Sequence, residues 1–398
     1  MMEMINHEQK RVWAEIDMDA LIHNYEKIRC HLGPETKLCC VIKANAYGHG
    51  AVDVALFYEE LGADMFAVSN IEEAIQLRHG GVTRPILILG YTPAPCVREL
   101  AEHTLTQCVY SYEYGELLSA CAAREGVTLD VHLKLDTGMG RIGFAARELA
   151  SLDRAVDEMA RVCAMRGIAV KGAFTHFAVA DDGEAGEAFT REQMALFERA
   201  IEALENKGIH MECLHCANSA ALTDYSQVGF NMVRAGIILY GLHPSDALRS
   251  PLDLRPAMTI KSVISYVKTV RTGESISYGR TFVAREDMKV ATVPIGYADG
   301  YRRMSAERGA FLLIRGKRCP IVGRVCMDQL MVDVSELATV CVGDEVTVFG
   351  RAPALTATEL AALNDTIAYE IICAVGVRVP RVYLRQGRIV RVCDNLIP

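Results

Sequence analysis

From residue 38 onward, short apolar and β-branched runs alternate with amphipathic stretches that have the residue spacing of helices. Near-continuous apolar strands that alternate with helices are typical of a parallel sheet covered on both faces. The runs number eight, at residues 38–44, 65–69, 85–90, 106–110, 130–136, 171–176, 211–216 and 232–239. Eight such units predict an α/β fold built on a (β/α)8, TIM-like barrel. An open doubly wound sheet is the alternative, although no Gly-x-Gly-x-x-Gly motif follows the first run.

The pattern changes after a loop at residues 243–256. Beyond this loop, the sequence predicts strands at residues 259–270, 289–294, 311–315, 331–334 and 345–350, and helical spacing returns only at 357–373. We therefore expect two domains, the barrel at residues 12–245 and a mainly β C-terminal domain at residues 256–398. Residues 13–17 fall outside the eight runs, so we expect residues 1–17 to pair with the second domain.

Charge and cysteine usage narrow the class of protein. The formal net charge is −8, which argues against nucleic acid or an anionic membrane as the main partner. No apolar run approaches the roughly 18–20 residues that span a bilayer, and the polar residues 1–10 lack the apolar core of a signal peptide. Most of the fourteen cysteines lie inside apolar segments, as reduced core cysteines do. Cys213 and Cys216 have the spacing of half a zinc site but no second pair follows, so we expect no metal and a cytoplasmic protein.

Lys43 ends the first run, after five apolar residues. Functional residues of such barrels lie at the C-terminal ends of the strands. A lysine in an apolar site loses its charge more readily, which produces the neutral amine that Schiff-base chemistry needs. The alternative is a lysine that extends from the strand end into solvent.

The residues around Lys43 decide between these interpretations. The segment Val41-Ile-Lys-Ala-Asn-Ala-Tyr-Gly-His-Gly50 resembles the pyridoxal-phosphate lysine motif of the alanine racemase family. The likeness covers essentially the whole chain and continues through residues 134–143, 175–178, 215–220, 233–237, 276–279, 294–300 and 323–329. The family fold, a barrel followed by a β-rich domain, agrees with the architecture predicted above.

The resemblance implies a pyridoxal-phosphate-dependent racemase that interconverts L- and D-alanine by two-base proton transfer at Cα. Lys43 would hold the cofactor and act as the base on one face of the substrate. Tyr278 would be the base on the other face and would come from the partner subunit of a homodimer with shared active sites. Racemisation needs two groups on opposite faces because the proton leaves one side of Cα and returns to the other. A free tyrosine titrates near 10, so this base needs a positive or hydrogen-bonding neighbour, for which His176 is the family's candidate.

The remaining site residues also follow from the resemblance. Arg234 would face the pyridine nitrogen, where an arginine stays charged and leaves the ring unprotonated, which suppresses transamination and decarboxylation. A structural, salt-bridged arginine is the alternative interpretation. The cofactor would also contact Tyr47, Asn218, Ser219, Gly236 and Ile237. The small amino-acid substrate would be bound by Arg141, Met327, Cys326, Asp328 and Lys134, the last of which is carbamylated in many members and orients the arginine.

One departure from the family pattern leaves the substrate open. Many members have a tyrosine just before the segment Arg378-Val-Pro-Arg381, and here that residue is Val377. The alternative is therefore a serine or broader-specificity racemase. A decarboxylase of the same fold type would have an acidic residue in place of Arg234. A non-catalytic pyridoxal-phosphate carrier would lack the second domain, including Tyr278 and residues 326–328.

Overall fold

A computed structural model describes residues 11–225 and 230–397 of the chain. The parts of the expected domains that fall on residues 1–10, 226–229 and 398, including the pairing expected for residues 1–10, lie outside this range. None of the described helices combines the length and the apolar character needed to cross a membrane.

The first domain is the expected eight-stranded parallel barrel. Its region contains strands β1 (Val12–Asp17), β2 (Lys37–Val41), β3 (Met65–Val68), β4 (Ile86–Ile88), β5 (Leu105–Val109), β6 (Leu129–Asp136), β7 (Phe144–Ala145), β8 (Ile168–Phe174), β9 (Cys213–His215) and β10 (Met232–Ala235). The barrel order is β10-β2-β3-β4-β5-β6-β8-β9, while β7 pairs with β6 and β1 belongs to another sheet. The barrel is nearly closed, because Arg234 N–H donates to the Ala217 carbonyl at 3.0 Å between its first and last strands.

Helices surround the barrel and connect its strands. They are α1 (Met18–His31), α2 (Lys43–Tyr47), α3 (Ala51–Glu60), α4 (Ile71–His79), α5 (Val97–Glu102), α6 (Tyr112–Glu125), α7 (Leu149–Cys163), α8 (Gly183–Asn206) and α9 (Ser219–Asp224). Of these, α2 is a short turn with left-handed backbone angles and not a regular α-helix. Short 3-10 helices occupy Ala94–Cys96 and Ile237–Tyr240. Most residues of the barrel strands are buried, which explains why their sequences are continuous apolar runs and do not alternate.

The second domain is mainly β. It contains β11 (Met258–Val263), β12 (Tyr266–Val270), β13 (Ser275–Ile276), β14 (Phe282–Val283), β15 (Met288–Val293), β16 (Phe311–Ile314), β17 (Lys317–Pro320), β18 (Leu330–Asp333), β19 (Glu345–Phe349), β20 (Arg381–Arg385) and β21 (Arg388–Cys393), with helices α10 (Ala357–Leu363) and α11 (Ala368–Cys373). Its 3-10 helices are Tyr278–Arg280, Tyr297–Asp299 and Arg303–Arg308. Three sheets have the orders β17-β16-β19-β11-β1-β20-β21, β12-β15-β18 and β13-β14.

Strand β1 joins the two domains. It pairs antiparallel with β11 and parallel with β20, both in the second domain, and leads directly into helix α1 of the barrel. Asp17 caps α1 by accepting a hydrogen bond from the Ala20 N–H at 3.0 Å. The chain therefore enters the barrel from the sheet of the second domain.

The prediction of a single strand at residues 259–270 is wrong. This segment forms two strands, β11 and β12, because the chain passes from one sheet to another between them. Ile264 N–H donates to the Asp344 carbonyl next to the first sheet, and Ser265 N–H donates to the Thr292 carbonyl of β15 in the second. The predicted strands also omitted the short strands β13 and β14 and the strands β17, β20 and β21.

Candidate active site

A cavity of about 430 Å³ opens at the C-terminal ends of the barrel strands. The sequence-predicted residues that line it are Lys43, Tyr47, Lys134, Arg141, His176, Asn218, Ser219, Arg234, Gly236 and Ile237. These side chains come from strand ends and loops far apart in the sequence, and the barrel brings them to one opening. The structure therefore assembles all the predicted barrel residues at one site.

Lys43 begins a turn with an unusual backbone. The four residues that follow it, 44–47, have φ between 51° and 55°, a left-handed conformation that costs an L-residue roughly 1–2 kcal/mol. Hydrogen bonds from elsewhere hold this turn: Glu73 accepts from the Ala44 N–H at 2.7 Å, and Asn45 accepts from the Ala51 N–H at 2.8 Å. The strained turn thus fixes the position of the lysine and of Tyr47.

The second domain also holds this turn. Arg381 is fully buried and donates to the Gly48 carbonyl at 2.9 Å, and the Tyr383 hydroxyl donates to the His49 carbonyl at 2.9 Å. Gly48 has φ +84°, and a Cβ there would lie 2.1 Å from the Ile372 carbonyl oxygen of α11. The barrel site and the second domain are therefore packed together directly behind Lys43.

Electrostatics at the site make the Lys43 amine easier to deprotonate. Burial, and next the nearby Arg141 guanidinium, lower the pKa of Lys43, while Glu73 opposes this shift. Among the described residues, no carboxylate forms a salt bridge with the Lys43 amine. The cavity therefore contains an amine that loses its proton more readily than an exposed lysine, as nucleophilic and basic chemistry require.

Arg234 lies at the end of β10 and is almost completely buried. Its guanidinium donates to the carbonyls of Thr175 at 2.9 Å and Cys216 at 3.1 Å and to Nδ1 of His215 at 2.8 Å. In the part of the chain that the structure describes, no carboxylate pairs with Arg234. The salt-bridged interpretation of this arginine is therefore wrong, because neutral acceptors hold it in place.

The histidines around Arg234 have defined proton positions. Burial, and next the Arg234 charge, lower the pKa of His176 and His215 well below the usual value, so both rings are neutral near pH 7. Because a guanidinium can only donate, Nδ1 of each ring accepts from Arg234, at 2.8 Å in His215 and 3.3 Å in His176. Each neutral ring therefore carries its proton on Nε2. His176, which lines the cavity, keeps an Nε2–H donor.

A cluster of His132, Cys213 and His215 has potential metal-ligand atoms within 4.8 Å of one another. His215 Nε2 lies 2.9 Å from His132 Nδ1, so its proton is donated there, while its Nδ1 accepts from Arg234. Both nitrogens of His215 are committed to hydrogen bonds. The cluster is better explained as an extension of the Arg234 network than as a metal site.

Lys134 and Arg141 form a second cationic group in the cavity. Burial lowers the pKa of Lys134 to about 8, with Arg141 and Arg234 contributing. Arg141 lies on the loop after β6, which Asp136 holds by accepting from the Gly138 N–H at 3.1 Å and the Gly140 N–H at 2.9 Å. The Arg141 guanidinium, which stays charged, can attract a carboxylate to this part of the cavity.

Small and hydroxyl-bearing residues line another part of the cavity. Ser219 begins α9, capped by Asn218, whose side chain accepts from the Ala221 N–H at 2.9 Å. Ser219 Oγ accepts from the Gly236 N–H at 2.9 Å, and a Cβ at Gly236 would lie 2.9 Å from the Tyr47 hydroxyl. Ile237 begins a 3-10 helix, whose first N–H groups have no partner within the helix. This part of the cavity can hold an anionic group such as a phosphate.

Four predicted residues lie outside this cavity, in the second domain: Tyr278, Cys326, Met327 and Asp328. The side chains of Tyr278 and Met327 are 67% and 52% exposed. Asp328 is paired with Arg378 at 2.6 Å. The structure therefore separates these residues from Lys43 within one chain.

Backbone strain precedes Tyr278. Ser277 has φ 68° and ψ −178°, a region that is essentially restricted to glycine. Its hydroxyl donates to the Arg324 carbonyl at 2.7 Å, and Gly323 packs so closely that a Cβ there would lie 2.7 Å from the Ser277 Cβ. The tyrosine is presented at the surface by a constrained turn.

Val377, where the sequence departs from the family pattern, lies in the second domain. Its side chain is 63% exposed and is not among the described residues that line the cavity, because it lies in the connection between α11 and β20. The cavity wall instead includes Tyr369 of α11, together with Asp181, neither of which the sequence indicated. A tyrosine on a short helix of the other domain shows no pattern that links it to the barrel.

The cavity thus combines a poorly solvated lysine after the first barrel strand with a buried arginine that has no acidic partner among the described residues. Residues 16–244 match the family model of the alanine racemase N-terminal domain, and residues 257–383 match that of the C-terminal domain. The chain belongs to the alanine racemase family.

Relatives and solved structures agree with this assignment. The alanine racemase of Desulfovibrio desulfuricans is 47% identical, over 94% of this chain and 98% of the relative. Alanine racemase 2 of Caldanaerobacter subterraneus is 44% identical, over 96% and 97%. A structure of the Clostridium difficile alanine racemase superimposes with a TM-score of 0.92 at 40% identity, over 98% of this chain and 99% of the other. The barrel and the mainly β second domain of the predicted fold are thereby confirmed.

Proposed function

We propose that this chain is a pyridoxal-phosphate-dependent racemase that interconverts L- and D-alanine. One observation carries the proposal: Lys43, with a lowered pKa, and Arg234, without a carboxylate partner, line the same cavity. Its relatives at 44–47% identity are alanine racemases. Lys43 would hold the cofactor, and Arg234, which keeps its own proton, would leave the pyridine nitrogen unprotonated and so suppress transamination and decarboxylation.

The residues present fit pyridoxal phosphate. Lys43 would bind it through the amine, and Arg234 would face its pyridine nitrogen. Ser219, the Ile237 N–H and Tyr47 would hold the phosphate, in the space that the absent side chain of Gly236 leaves open. When bound, pyridoxal phosphate withdraws electrons from the substrate and makes the Cα proton acidic.

Two residues of this chain would move the proton. The Lys43 amine serves one face of Cα, and Tyr278 of the partner subunit serves the other. The exposure of Tyr278 and its separation from the cavity of its own chain support a shared site in a homodimer. His176 Nε2–H can donate to the tyrosine oxygen and so stabilise its deprotonated form.

Arg141 would bind the substrate carboxylate, helped by Met327 N–H and the neighbouring Cys326 and Asp328 of the partner subunit. Lys134 would support Arg141 as a carbamate. A pKa of about 8 leaves part of the Lys134 amine neutral near physiological pH, and the neutral amine is the form that reacts with carbon dioxide. The negative carbamate would then orient Arg141 by charge attraction.

The alternatives receive less support. The relatives compared are alanine racemases, which favours alanine over serine, and the exposed Val377 does not line the cavity. A decarboxylase of this fold type would need a carboxylate at Arg234, and the described residues place none there. A non-catalytic carrier would not need the second domain that holds the Lys43 turn through Arg381.

The proposal is tested by borohydride reduction of the purified protein, peptide mapping and chiral analysis of alanine. We expect the reduced cofactor on Lys43 and racemisation in both directions, and Lys43→Ala should abolish both. Lys171→Ala, which changes a lysine outside the cavity, is the matched control and should leave both unchanged. Label on another lysine, or no bound cofactor, would overturn the proposal.

A further inference from the structure

The loop at residues 294–300 is one of the motifs that carry the family resemblance, and it has no role in the assignment above. It packs against the segment that contains Met327. Tyr297 N–H donates to the Cys326 carbonyl at 3.1 Å, and Ala298 N–H donates to the Met327 carbonyl at 3.0 Å. Two motifs that are separate in the sequence therefore form one unit of the second domain.

Gly296 allows this unit to pack closely. A Cβ at Gly296 would lie 2.3 Å from the carbonyl oxygens of both Cys326 and Met327. Its φ of −154° is accessible to any residue, so glycine is needed here for space and not for its backbone freedom. The segment that carries Met327 thus rests directly on the backbone of the loop.

The bond to the Cys326 carbonyl also sets the direction of the Met327 N–H, because both groups belong to one planar peptide unit. This peptide is trans, so its C=O and N–H bonds point in opposite directions. The Met327 N–H therefore points away from the loop. Within the part of the chain that the structure describes, it has no hydrogen-bond partner. It remains a donor for a group that comes from outside this chain.

The buried carboxylate of Asp299 holds the loop in shape. It accepts from the Gly296 N–H at 3.0 Å. It also accepts from Arg11, at 2.6 and 3.1 Å, and from Nε of Arg378 at 2.8 Å. Burial alone would raise the pKa of Asp299, but the hydrogen bonds from the two arginines outweigh burial and lower the pKa, so this carboxylate is charged near pH 7.

Arg378 connects this carboxylate to the segment that carries Met327. Its Nη2 donates to the Asp328 carboxylate at 2.6 Å, while its Nε donates to Asp299. The segment is therefore held at its carbonyls by the loop and at Asp328 by Arg378. Both attachments depend on Asp299.

We propose that Asp299 is a positioning residue for substrate binding, which fixes the loop and Arg378 and so aims the Met327 N–H at the substrate carboxylate in the partner subunit's site. This inference rests on the proposed function, which gives the Met327 N–H that role. The alternative is a purely structural Asp299 that ties Arg11, next to β1, to the second domain. A purely structural residue would affect stability without a selective effect on carboxylate binding.

The test compares the wild type with Asp299→Asn and Gly296→Ala. Asparagine keeps the shape of Asp299 but loses the charge that binds the two arginines. Gly296→Ala pushes against the same segment without altering the buried charge, so it decides the question if Asp299→Asn is too unstable to purify.

The matched control is Asp344→Asn, also in the second domain. Asp344 likewise accepts two hydrogen bonds from one arginine, Arg315, at 3.0 and 2.8 Å, and one from a loop N–H, that of Cys341, at 2.9 Å. None of these bonds reaches residues 326–328. This control separates a general loss of a buried ion pair from a specific effect on the Met327 donor.

Each protein is assayed for alanine KM and kcat, for bound cofactor, and by calorimetry for its affinity for propionate. Propionate has the carboxylate and carbon skeleton of alanine without the amine, so its affinity reports the carboxylate contacts. A misdirected hydrogen bond to a charged group predicts a roughly tenfold higher KM and roughly tenfold weaker propionate binding in Asp299→Asn and Gly296→Ala. Their kcat should stay within about twofold of the wild type. Cofactor content should be unchanged, and Asp344→Asn should match the wild type throughout.

Three results would overturn the inference. The first is wild-type KM and propionate affinity in the Asp299 and Gly296 variants, and the second is an equal loss in Asp344→Asn. The third is a loss of cofactor that parallels the rise in KM, which would indicate general damage. Wild-type protein that binds no cofactor at Lys43 and racemises no alanine would instead refute the proposed function, so the two failures are distinguishable.

Discussion

Arg234 donates through Nη1 to Nδ1 of His215 at 2.8 Å, and His215 in turn donates through Nε2–H to Nδ1 of His132 at 2.9 Å. The Arg234 guanidinium is therefore bound by neutral acceptors, namely imidazole rings and backbone carbonyls. This arrangement differs from an ion pair because none of its members can take the proton of the arginine or cancel its charge. It keeps a fixed positive charge at the bottom of the cavity.

Replacing His215 should destabilise the protein. His215→Phe keeps an aromatic ring that can stack on Phe174 but leaves an Arg234 donor without a buried acceptor, at a cost of about 1–3 kcal/mol. The melting temperature in differential scanning fluorimetry should fall by several degrees. His31→Ala, at the exposed end of α1, is the control and should change it little. An unchanged melting temperature for His215→Phe would contradict this description of the network.

Carbamylation of Lys134 should depend on pH. Because the pKa of Lys134 is lowered to about 8, the reactive neutral amine is the minor form below pH 8 and the major form above it. In ¹³C-bicarbonate, the carbamate signal in the NMR spectrum should increase as the pH rises through 8 and should be absent in Lys134→Gln. Alanine KM should increase in the variant because Arg141 loses its support. A carbamate signal that persists in Lys134→Gln would show that the modified lysine is a different one.

Ser277 should control turnover without affecting the cofactor. Its strained backbone is held by the bond from its hydroxyl to the Arg324 carbonyl. Ser277→Ala loses the bond and keeps the strain, so kcat should fall roughly tenfold. Ser277→Gly, whose backbone accepts this conformation, should lose less activity than Ser277→Ala. Cofactor content should stay at the wild-type level in both, and an equal loss of activity in both variants would mean that strain at this residue is unimportant.

Much of this architecture could be predicted because the barrel strands are buried on both faces, and continuous apolar runs record that burial. Strand β21 could not be found in this way, since its outer position in the sheet leaves residues such as Arg388 exposed. The sequence signal for this strand is Gly387. The two-residue hairpin turn before β21 has positive φ at Gln386 and Gly387, and glycine adopts such angles readily. Strand β17 likewise follows a two-residue turn with positive φ, at Arg315 and Gly316.

In the site, residues within sequence motifs could be predicted, whereas a residue placed by packing between the domains could not. Lys43 and Arg234 could be identified because each lies in a motif at a strand end, and the barrel brings strand ends together. Tyr369 could not, because its place in the cavity depends on how α11 of one domain packs against Gly48 of the other. Tertiary packing of this kind leaves no periodic trace in the sequence.

Active sites shared between subunits predict complementation. Lys43→Ala and Tyr278→Phe proteins are each inactive, but a mixed dimer keeps one site with both native residues. Random subunit exchange should restore roughly a quarter of wild-type activity per subunit, because half of the dimers are mixed and each has one intact site. Mixing either variant with itself is the control. Continued inactivity, with exchange demonstrated by mass spectrometry of tagged subunits, would place both residues in one chain's site.

The most direct test of the two-base account is hydrogen exchange at Cα of alanine by Tyr278→Phe in deuterated water. Lys43 serves one face alone in this variant, so one enantiomer should still exchange its Cα hydrogen while racemisation falls by roughly 10²- to 10⁴-fold. Cofactor content should remain at the wild-type level, and Tyr266→Phe, an exposed tyrosine that lies outside the barrel cavity, is the matched control. NMR of each enantiomer resolves exchange from inversion. Undiminished racemisation, or equal loss of exchange from both enantiomers, would contradict the assignment of Lys43 and Tyr278 to opposite faces.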